Sequence, residues 1–260
     1  MSNRMDKVFS EVLRRGEKIL VLYFPIGDTI LGGDDCAWAG RYFENGCTVL
    51  EIGLPNGNPV LDGKTVADSM ARALSHTGLE AVFKTIGQMR ERYPDNILQV
   101  MVYHHVIRNT GLARFAQLCS ENGVDGVLCP NIPEEEMPEI DAELAKYGIY
   151  NLRFSNYHIT DAAVEDLKAH ATGYIFQQAV DGATGAQPTV SPQIGVNVKR
   201  LKEAGIKMPV LAGFGISNAQ QAREAIAMGA DGVIVGSATI SHIMAGDGEA
   251  FIESLGEAMK

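Results

Sequence analysis

The chain has 260 residues, a formal net charge of −10 and a sequence pI of about 5.1. Hydrophobic residues make up 46% and charged residues 21%, which are ordinary globular proportions and exclude long disordered stretches. The acidic field repels nucleic acid and anionic membrane surfaces, so neither is expected as a partner. An anionic substrate would therefore need a local site built from backbone N–H groups or a helix N-terminus.

Cysteine usage and the N-terminus predict a cytoplasmic, soluble protein. None of the four cysteines forms a C-x-x-C pair, so no metal site is predicted and free thiols in a reducing compartment are expected. The first residues carry no apolar signal core, and no apolar run is long enough to cross a bilayer.

Short apolar runs alternate with helical patterns along the whole chain. The N-terminal segment Met1–Arg15 is predicted to form an extra helix that covers the bottom of the fold. The eight predicted strands are Ile19–Phe24, Thr48–Ile52, Leu98–Tyr103, Gly126–Cys129, Tyr150–Phe154, Tyr174–Gln177, Pro209–Ala212 and Gly232–Val235. Apolar residues at three- and four-residue intervals predict helices that include Leu112–Glu121, Glu134–Lys146, Asp161–His170, Gln193–Glu203 and Ala219–Met228.

Eight βα units in about 250 residues predict a closed (β/α)8 TIM barrel. An open doubly wound sheet is the alternative. No linker, charge block or low-complexity tract interrupts the pattern, so residues 1–260 are predicted to form one barrel domain.

Two acidic residues frame the loop after the second strand. Glu51 lies at the apolar end of that strand, where a carboxylate is costly to desolvate, and Asp62 follows across a Gly/Pro-rich segment. Two carboxyl groups in unlike surroundings can hold different protonation states and divide acid–base and electrostatic work. The alternative is a loop with two ordinary solvated acids.

Glycine-rich loops follow strands seven and eight, at Gly213-Phe214-Gly215 and Gly236-Ser237. In a barrel these loops are neighbours on the C-terminal face, where bare amides and a helix start often bind phosphate. Ser217 and Ser237 could cap the following helices or donate to the phosphate. The alternative is that the glycines only form turns.

A third glycine-rich segment, Asp181-Gly-Ala-Thr184-Gly185-Ala-Gln-Pro188, follows strand six. Its small residues suit a lid, from which Thr184 could donate to a carboxylate below. A plain surface loop is the alternative.

Together these motifs resemble the tryptophan synthase α subunit family over nearly the whole chain. The resemblance is carried by Glu51-Ile-Gly-Leu-Pro, Asp62-Gly, Asp-Gly-Ala-Thr-Gly, Gly-Phe-Gly-Ile-Ser and Gly-Ser-Ala. It implies cleavage of indole-3-glycerol phosphate to indole and glyceraldehyde 3-phosphate, without a cofactor, as a step of tryptophan biosynthesis.

The resemblance also implies roles for individual residues. Glu51 would be the acid/base and Asp62 would accept the indole N–H. Thr184 and Gly185 would close over them. The phosphate would bind at Gly185, Gly213, Phe214, Gly215, Gly236 and Ser237, and Tyr23, Tyr103, His105 and Phe176 would line the substrate pocket.

The chain departs from the family pattern mainly at the aromatic end of the site. Tyr23 stands where a Phe is common, and Phe176 where a Tyr is common. His105, Asn156, His158 and Gln177 would make the pocket more polar if they point inward, which would favour a lyase with a more polar leaving group. A phosphometabolite-binding paralogue without activity is a further alternative.

The loop Asn56-Gly57-Asn58 also differs from the family pattern. In the family this loop contacts the β subunit that carries pyridoxal phosphate. Because Asn replaces an acidic contact here, both a β-subunit partner and a free-standing lyase stay open.

Overall fold

The computed structural model describes residues 3–181 and 189–260. Its strands are parallel and pair in chain order, and β8 pairs with β1, so the sheet closes into a barrel. The predicted TIM barrel is confirmed, and the open-sheet alternative is wrong. The strands are β1 Ile19–Phe24, β2 Val49–Gly53, β3 Ile97–Met101, β4 Gly126–Leu128, β5 Tyr150–Ser155, β6 Ile175–Gln178, β7 Val210–Gly213 and β8 Gly232–Val235.

Helices surround the barrel and connect its strands. They are α1 Arg4–Arg14, α2 Asp35–Glu44, α3 Lys64–Leu74, α4 Leu79–Arg92, α5 His104–Thr110, α6 Leu112–Glu121, α7 Met137–Ala145, α8 Asp161–His170, α9 Gln193–Glu203, α10 Ala219–Ala227, α11 Ser237–Ala245 and α12 Gly248–Ala258. Single 3-10 turns occupy Thr29–Leu31 and Glu134–Glu136. No helix in the described part of the chain has both the length and the apolarity needed to cross a membrane.

The predicted N-terminal helix is present as α1 and covers the bottom of the barrel. Asn3 caps it, and the Asn3 side chain donates to the carbonyls of Asp125 and Gly148 at 2.8 and 2.9 Å. Met5 is fully buried, and the Phe9 ring meets Tyr174 edge-on at 6.3 Å. Because these contacts lie at the N-terminal ends of the strands, α1 leaves the opposite face open.

The core has two layers, as the alternation of side chains along each strand requires. Residues such as Val21, Val49 and Ile97 point into the barrel, whereas Leu22, Leu50 and Leu98 pack against the helices. Burying each such side chain contributes about 1.5–3 kcal/mol. This packing fixes the strand ends that carry the site.

The third strand ends earlier than the sequence predicts. It stops at Met101, and His104 begins α5. The predicted strand Leu98–Tyr103 therefore extends two residues too far at its C-terminal end. The run Tyr-His-His-Val-Ile has no breaker that distinguishes a helix start from a continuing strand.

Candidate active site

A cavity opens at the C-terminal end of the barrel. Most of its lining is apolar, and its polar side chains include two carboxyl groups. It is lined by Tyr23, Glu51, Leu61, Asp62, Val66, Met101, Tyr103, Leu128, Pro130, Phe154, Phe176, Phe214, Gly215, Ile216, Ile234, Gly236 and Ser237. Glu51 and Asp62, far from ordinary solvated loop acids, thus share one largely apolar space.

Glu51 is fixed by a buried hydrogen-bond chain across three strands. It lies in register with Tyr23 of β1 and Gln99 of β3, and only 4% of it is exposed. Gln99 Nε2 donates to Glu51 Oε1 at 3.0 Å, and Tyr174 Oη donates to Gln99 Oε1 at 2.6 Å. These hydrogen bonds were not predicted from the sequence, although a glutamine inside the apolar run Ile97–Met101 was a signal for them.

Burial raises the pKa of Glu51 to about 8, and the charge of Asp62 contributes to the rise. The hydrogen bond from Gln99 acts in the opposite direction because it stabilises the ionised form. Glu51 therefore holds its proton at neutral pH. A protonated carboxyl group inside an apolar cavity is a ready proton donor.

Asp62 is held at the cavity mouth by Tyr103. Tyr103 Oη donates to Asp62 Oδ2 at 2.7 Å and accepts from the amide of Leu61 at 3.2 Å. Burial, followed by the charge of Asp62, raises the pKa of Tyr103, so the phenol stays protonated and keeps donating. The β2–α3 loop is thereby anchored to the end of β3, and Asp62 is fixed in the same cavity as Glu51.

The loops after β7 and β8 meet on the opposite side of the cavity. Phe214 has φ +69° and is the only described residue other than glycine with a positive φ, and Gly215 follows at +82°. A bulky residue in this region is strained, and such strain is concentrated at functional sites. Helix α11 begins at Ser237 after Gly236 without a side-chain cap, so its amides face the cavity end unblocked by a capping side chain.

Two details of these loops differ from the predictions. Ser217 does not cap α10, because Asn218 accepts from Gln221 N, and Ser237 is the first residue of α11 and not its cap. Gly213 does not line the cavity. A Cβ there would lie 2.3 Å from Phe176 Cζ, so this glycine leaves room for the ring.

Three phenylalanines form an apolar wall, which we call the aromatic wall: Phe154, Phe176 and Phe214. Their ring centroids lie 5.1 to 5.8 Å apart. A glycine would adopt the positive φ at position 214 more easily, but it would carry no ring. Phe214 adopts this φ and contributes its ring to the group. Together with Leu128 and Ile234, the wall gives the cavity a slot that suits an aromatic ring.

The polar residues expected in the pocket do not line it. His105 stacks on Tyr103 and is not among the lining residues, and His158 is exposed. Gln177 points away from the barrel interior and donates to the carbonyls of Asn156 and Gln178. Asn156 is exposed. The prediction of a more polar pocket is therefore wrong. Gln177 is on the helix-facing side of β6, and the other three residues lie outside the strands, in α5 and in the loop after β5. Thr184 and Gly185 lie outside the described residues.

Among the residues that the structure describes, no three His, Cys, Asp or Glu side chains cluster in a way that could hold a metal ion. The cavity itself offers carboxyl groups, phenols and backbone amides.

A sequence model of the family described as "Tryptophan synthase alpha chain" matches residues 9–256. The chain belongs to the tryptophan synthase alpha chain family. The alpha chain of Geobacter sulfurreducens is 34% identical over 239 residues, which cover 92% of this chain and 89% of that relative. The alpha chain of Oceanobacillus iheyensis is 32% identical over 263 residues, which cover 98% of each.

Solved structures of the tryptophan synthase alpha chain family share the fold. The alpha chain of Legionella pneumophila superposes with a TM-score of 0.87 at 25% identity and covers 100% of this chain and 98% of that one. A protein from Aquifex aeolicus gives a TM-score of 0.90 at 28% identity and complete coverage of both chains.

The β2–α3 loop bears on the contact that the tryptophan synthase resemblance implies. The Asn56 side chain is only 4% exposed, and it accepts from the amide of Asn58 and donates to Met70 Sδ. Asn56 thus holds the loop from inside, whereas Gly57 and Asn58 form its more accessible tip.

Proposed function

We propose that this chain is a carbon–carbon lyase that cleaves indole-3-glycerol phosphate to indole and glyceraldehyde 3-phosphate. Membership of the tryptophan synthase alpha chain family supports this reaction. The observation that carries the proposal is that the buried Glu51 and Asp62 line one largely apolar cavity. A retro-aldol cleavage of this kind needs one proton donor and one nearby anion.

In the proposed reaction Glu51 acts first as an acid. It gives its proton to the indole ring carbon that bears the glycerol chain, which makes the ring cationic. Asp62 accepts the indole N–H and stabilises the positive charge, an interaction that is strong in a low-dielectric site. The cationic ring is the electron sink for the next step.

Glu51 then acts as a base. Its carboxylate takes the proton of the hydroxyl on the adjacent carbon, the carbon–carbon bond breaks, and its electron pair returns to the ring. The products are indole and an aldehyde, and Glu51 ends protonated, as it began. Because one group both donates and accepts, its raised pKa of about 8 suits work near neutral pH.

The two ends of the cavity fit the two ends of this substrate. The aromatic wall suits the indole ring, and the amides at Gly215, Gly236 and Ser237 suit the phosphate. This division also explains how an acidic protein can bind an anionic substrate, since main-chain dipoles can hold the phosphate. A more polar leaving group is not favoured, because the polar side chains that suggested it do not line the cavity. No observation favours a binding protein without activity.

The test is release of indole from synthetic indole-3-glycerol phosphate by the purified chain. The Glu51→Gln variant keeps the size of the side chain but removes the proton, and we expect its rate to fall at least a thousandfold. Glu253→Gln on the exposed face of α12 makes the same side-chain substitution away from the cavity and should leave the rate unchanged. Absence of indole release by the unaltered chain would refute the proposed reaction.

We further propose a cytoplasmic location, supported by the four free thiols.

A β-subunit partner is a separate proposal. The tip at Gly57–Asn58 is accessible for such a contact. Mixed with the β subunit of a relative, the chain is expected to co-elute in gel filtration and release indole faster. Separate elution and an unchanged rate would restrict the proposal to a free-standing lyase.

A further inference from the structure

Tyr23 lines the cavity, and its hydroxyl group is buried and has no hydrogen-bond partner among the described residues. Only 3% of the residue is exposed. A buried tyrosine hydroxyl usually finds a partner, and leaving it unpaired costs free energy. An unpaired polar group that lines a substrate cavity therefore indicates a partner that arrives with the substrate.

The fold brings the Tyr23 side chain close to the acid pair. Tyr23 lies beside Glu51 in the β1–β2 register, so both side chains point into the barrel. The phenol reaches past Glu51 to the end of β2, where a Cβ on Gly53 would lie 2.0 Å from Tyr23 Oη. At its base, the Tyr23 Cβ would be 3.8 Å from a Cβ on Gly236. The side chain thus runs from the glycine loop after β8 towards the carboxyl groups.

The other two phenols around Glu51 already have partners. Tyr103 donates to Asp62 and Tyr174 donates to Gln99. Phe176, which shares the cavity with Tyr23, contributes a ring without a hydroxyl. Tyr23 is therefore the phenol that can still donate to a ligand between the aromatic wall and the phosphate loops.

We propose that Tyr23 donates a hydrogen bond to the hydroxyl oxygen on the substrate carbon that becomes the aldehyde, and so turns that hydroxyl's proton towards Glu51. The inference rests on the proposed function and adds a substrate contact to it. No covalent bond to Tyr23 forms or breaks. The oxygen accepts from Tyr23 first as a hydroxyl and then as a carbonyl, so the contact persists through cleavage.

The surroundings of Tyr23 keep it a donor. Burial is the main cause that raises the pKa of its hydroxyl, and the charges of Asp62 and Glu51 raise it further. The phenol therefore stays protonated and does not compete with Glu51 as a base. Its role is to position the reacting hydroxyl, while the proton moves to Glu51.

The test measures binding in the Glu51→Gln background, in which substrate is expected to bind without cleavage. Calorimetry compares Tyr23→Phe with its parent for two ligands: indole-3-glycerol phosphate and an analogue with a plain propyl chain in place of the two glycerol hydroxyls. We expect Tyr23→Phe to weaken the hydroxylated ligand about 3- to 10-fold and to leave the deoxy analogue unchanged. In the otherwise unaltered chain, Tyr23→Phe should lower kcat more than it changes KM.

The outcomes separate this inference from the proposed function. If the unaltered chain releases indole but Tyr23→Phe changes neither ligand's affinity, or both equally, the Tyr23 contact is refuted and the lyase proposal stands. If the unaltered chain neither binds nor cleaves the substrate, both proposals are refuted. Equal melting temperatures of Tyr23→Phe and its parent exclude a folding defect, as expected for a hydroxyl without a protein partner.

Discussion

The side chain of Gln99 donates to Glu51 Oε1 across 3.0 Å, and this contact opposes the effect of burial on that carboxyl group. Burial favours the protonated acid, whereas the Gln99 amide favours the carboxylate. Glu51 needs both forms during the proposed cycle. The bond from Tyr174 to Gln99 fixes the orientation of the amide, so three strands together set the balance.

Removing the Gln99 amide should shift the pH profile of cleavage upwards. In Gln99→Leu the pKa of Glu51 rises above its value of about 8, because the contact that lowers it is gone. The pH at which kcat/KM begins to fall should rise accordingly, and kcat/KM at pH 7 should drop about tenfold as Glu51 loses its orientation. Tyr174→Phe keeps the Gln99–Glu51 contact but frees the amide that Tyr174 orients, so its upward shift of the profile should be smaller. Identical profiles for Gln99→Leu and the unaltered chain would contradict this account.

Glu51 should also make folding stability depend on pH. Its pKa is about 8 in the folded chain against an ordinary 4.5, so its contribution to stability is complete below about pH 4.5 and is lost as pH rises through 8. Glu51→Gln lacks this dependence. Relative to the unaltered chain, the variant should gain about 3–5 kcal/mol in free energy of unfolding between pH 4.5 and 8.5. Denaturant titrations at both pH values measure the gain, and a constant difference would show that Glu51 is ionised when folded.

The contact between Gly213 and Phe176 predicts a pair of coupled substitutions. Gly213→Ala places a Cβ against the tip of the Phe176 ring and should push it into the substrate slot, lowering kcat/KM about a hundredfold. Phe176→Leu in the same chain shortens the side chain and should recover at least tenfold of that loss. Strictly additive effects of the two substitutions would show that the ring does not move.

Much of the fold and part of the site follow from sequence patterns alone. Short apolar runs locate the eight strands, and glycines after β7 and β8 mark the loops beside the cavity. The acids Glu51 and Asp62 could be paired because one loop joins them. Such features are local in the chain, so a pattern can register them.

The features that the sequence could not give depend on distant segments. The Glu51–Gln99–Tyr174 hydrogen bonds depend on segments far apart in the sequence, since Gln99 and Tyr174 are separated by 75 positions. The clearance of Gly213 for Phe176 depends on packing between neighbouring strands. The positive φ of Phe214 gives no signal, since left-handed residues are expected to be glycine. The prediction that His105 lines the pocket failed because α5 starts just after β3.

A buried ion cluster at the bottom of the barrel should affect stability without affecting catalysis. Asp125 is 5% exposed and pairs with Arg4 and with Arg90 at 2.7 Å, and it also accepts from the amide of Leu98. Asp125→Ala removes the carboxylate partner of Arg4 and Arg90 and the acceptor of this amide, and it should lower the free energy of unfolding by about 3 kcal/mol.

The exposed pair of Glu257 with Lys260 is the control for this substitution. Glu257→Ala should change stability by less than about 0.5 kcal/mol. Well below the melting temperature, kcat should be unchanged in both variants. A fall in kcat for Asp125→Ala would show that the bottom of the barrel influences the cavity.

The protonation state of Glu51 is the central claim, and carbon-13 NMR of chain labelled at the glutamate side-chain carboxyl carbon measures it most directly. The resonance absent from the Glu51→Gln spectrum identifies the residue. The account predicts that this resonance titrates near pH 8. Titration between pH 4 and 5 would contradict it, because Glu51 would then have no proton to give at neutral pH.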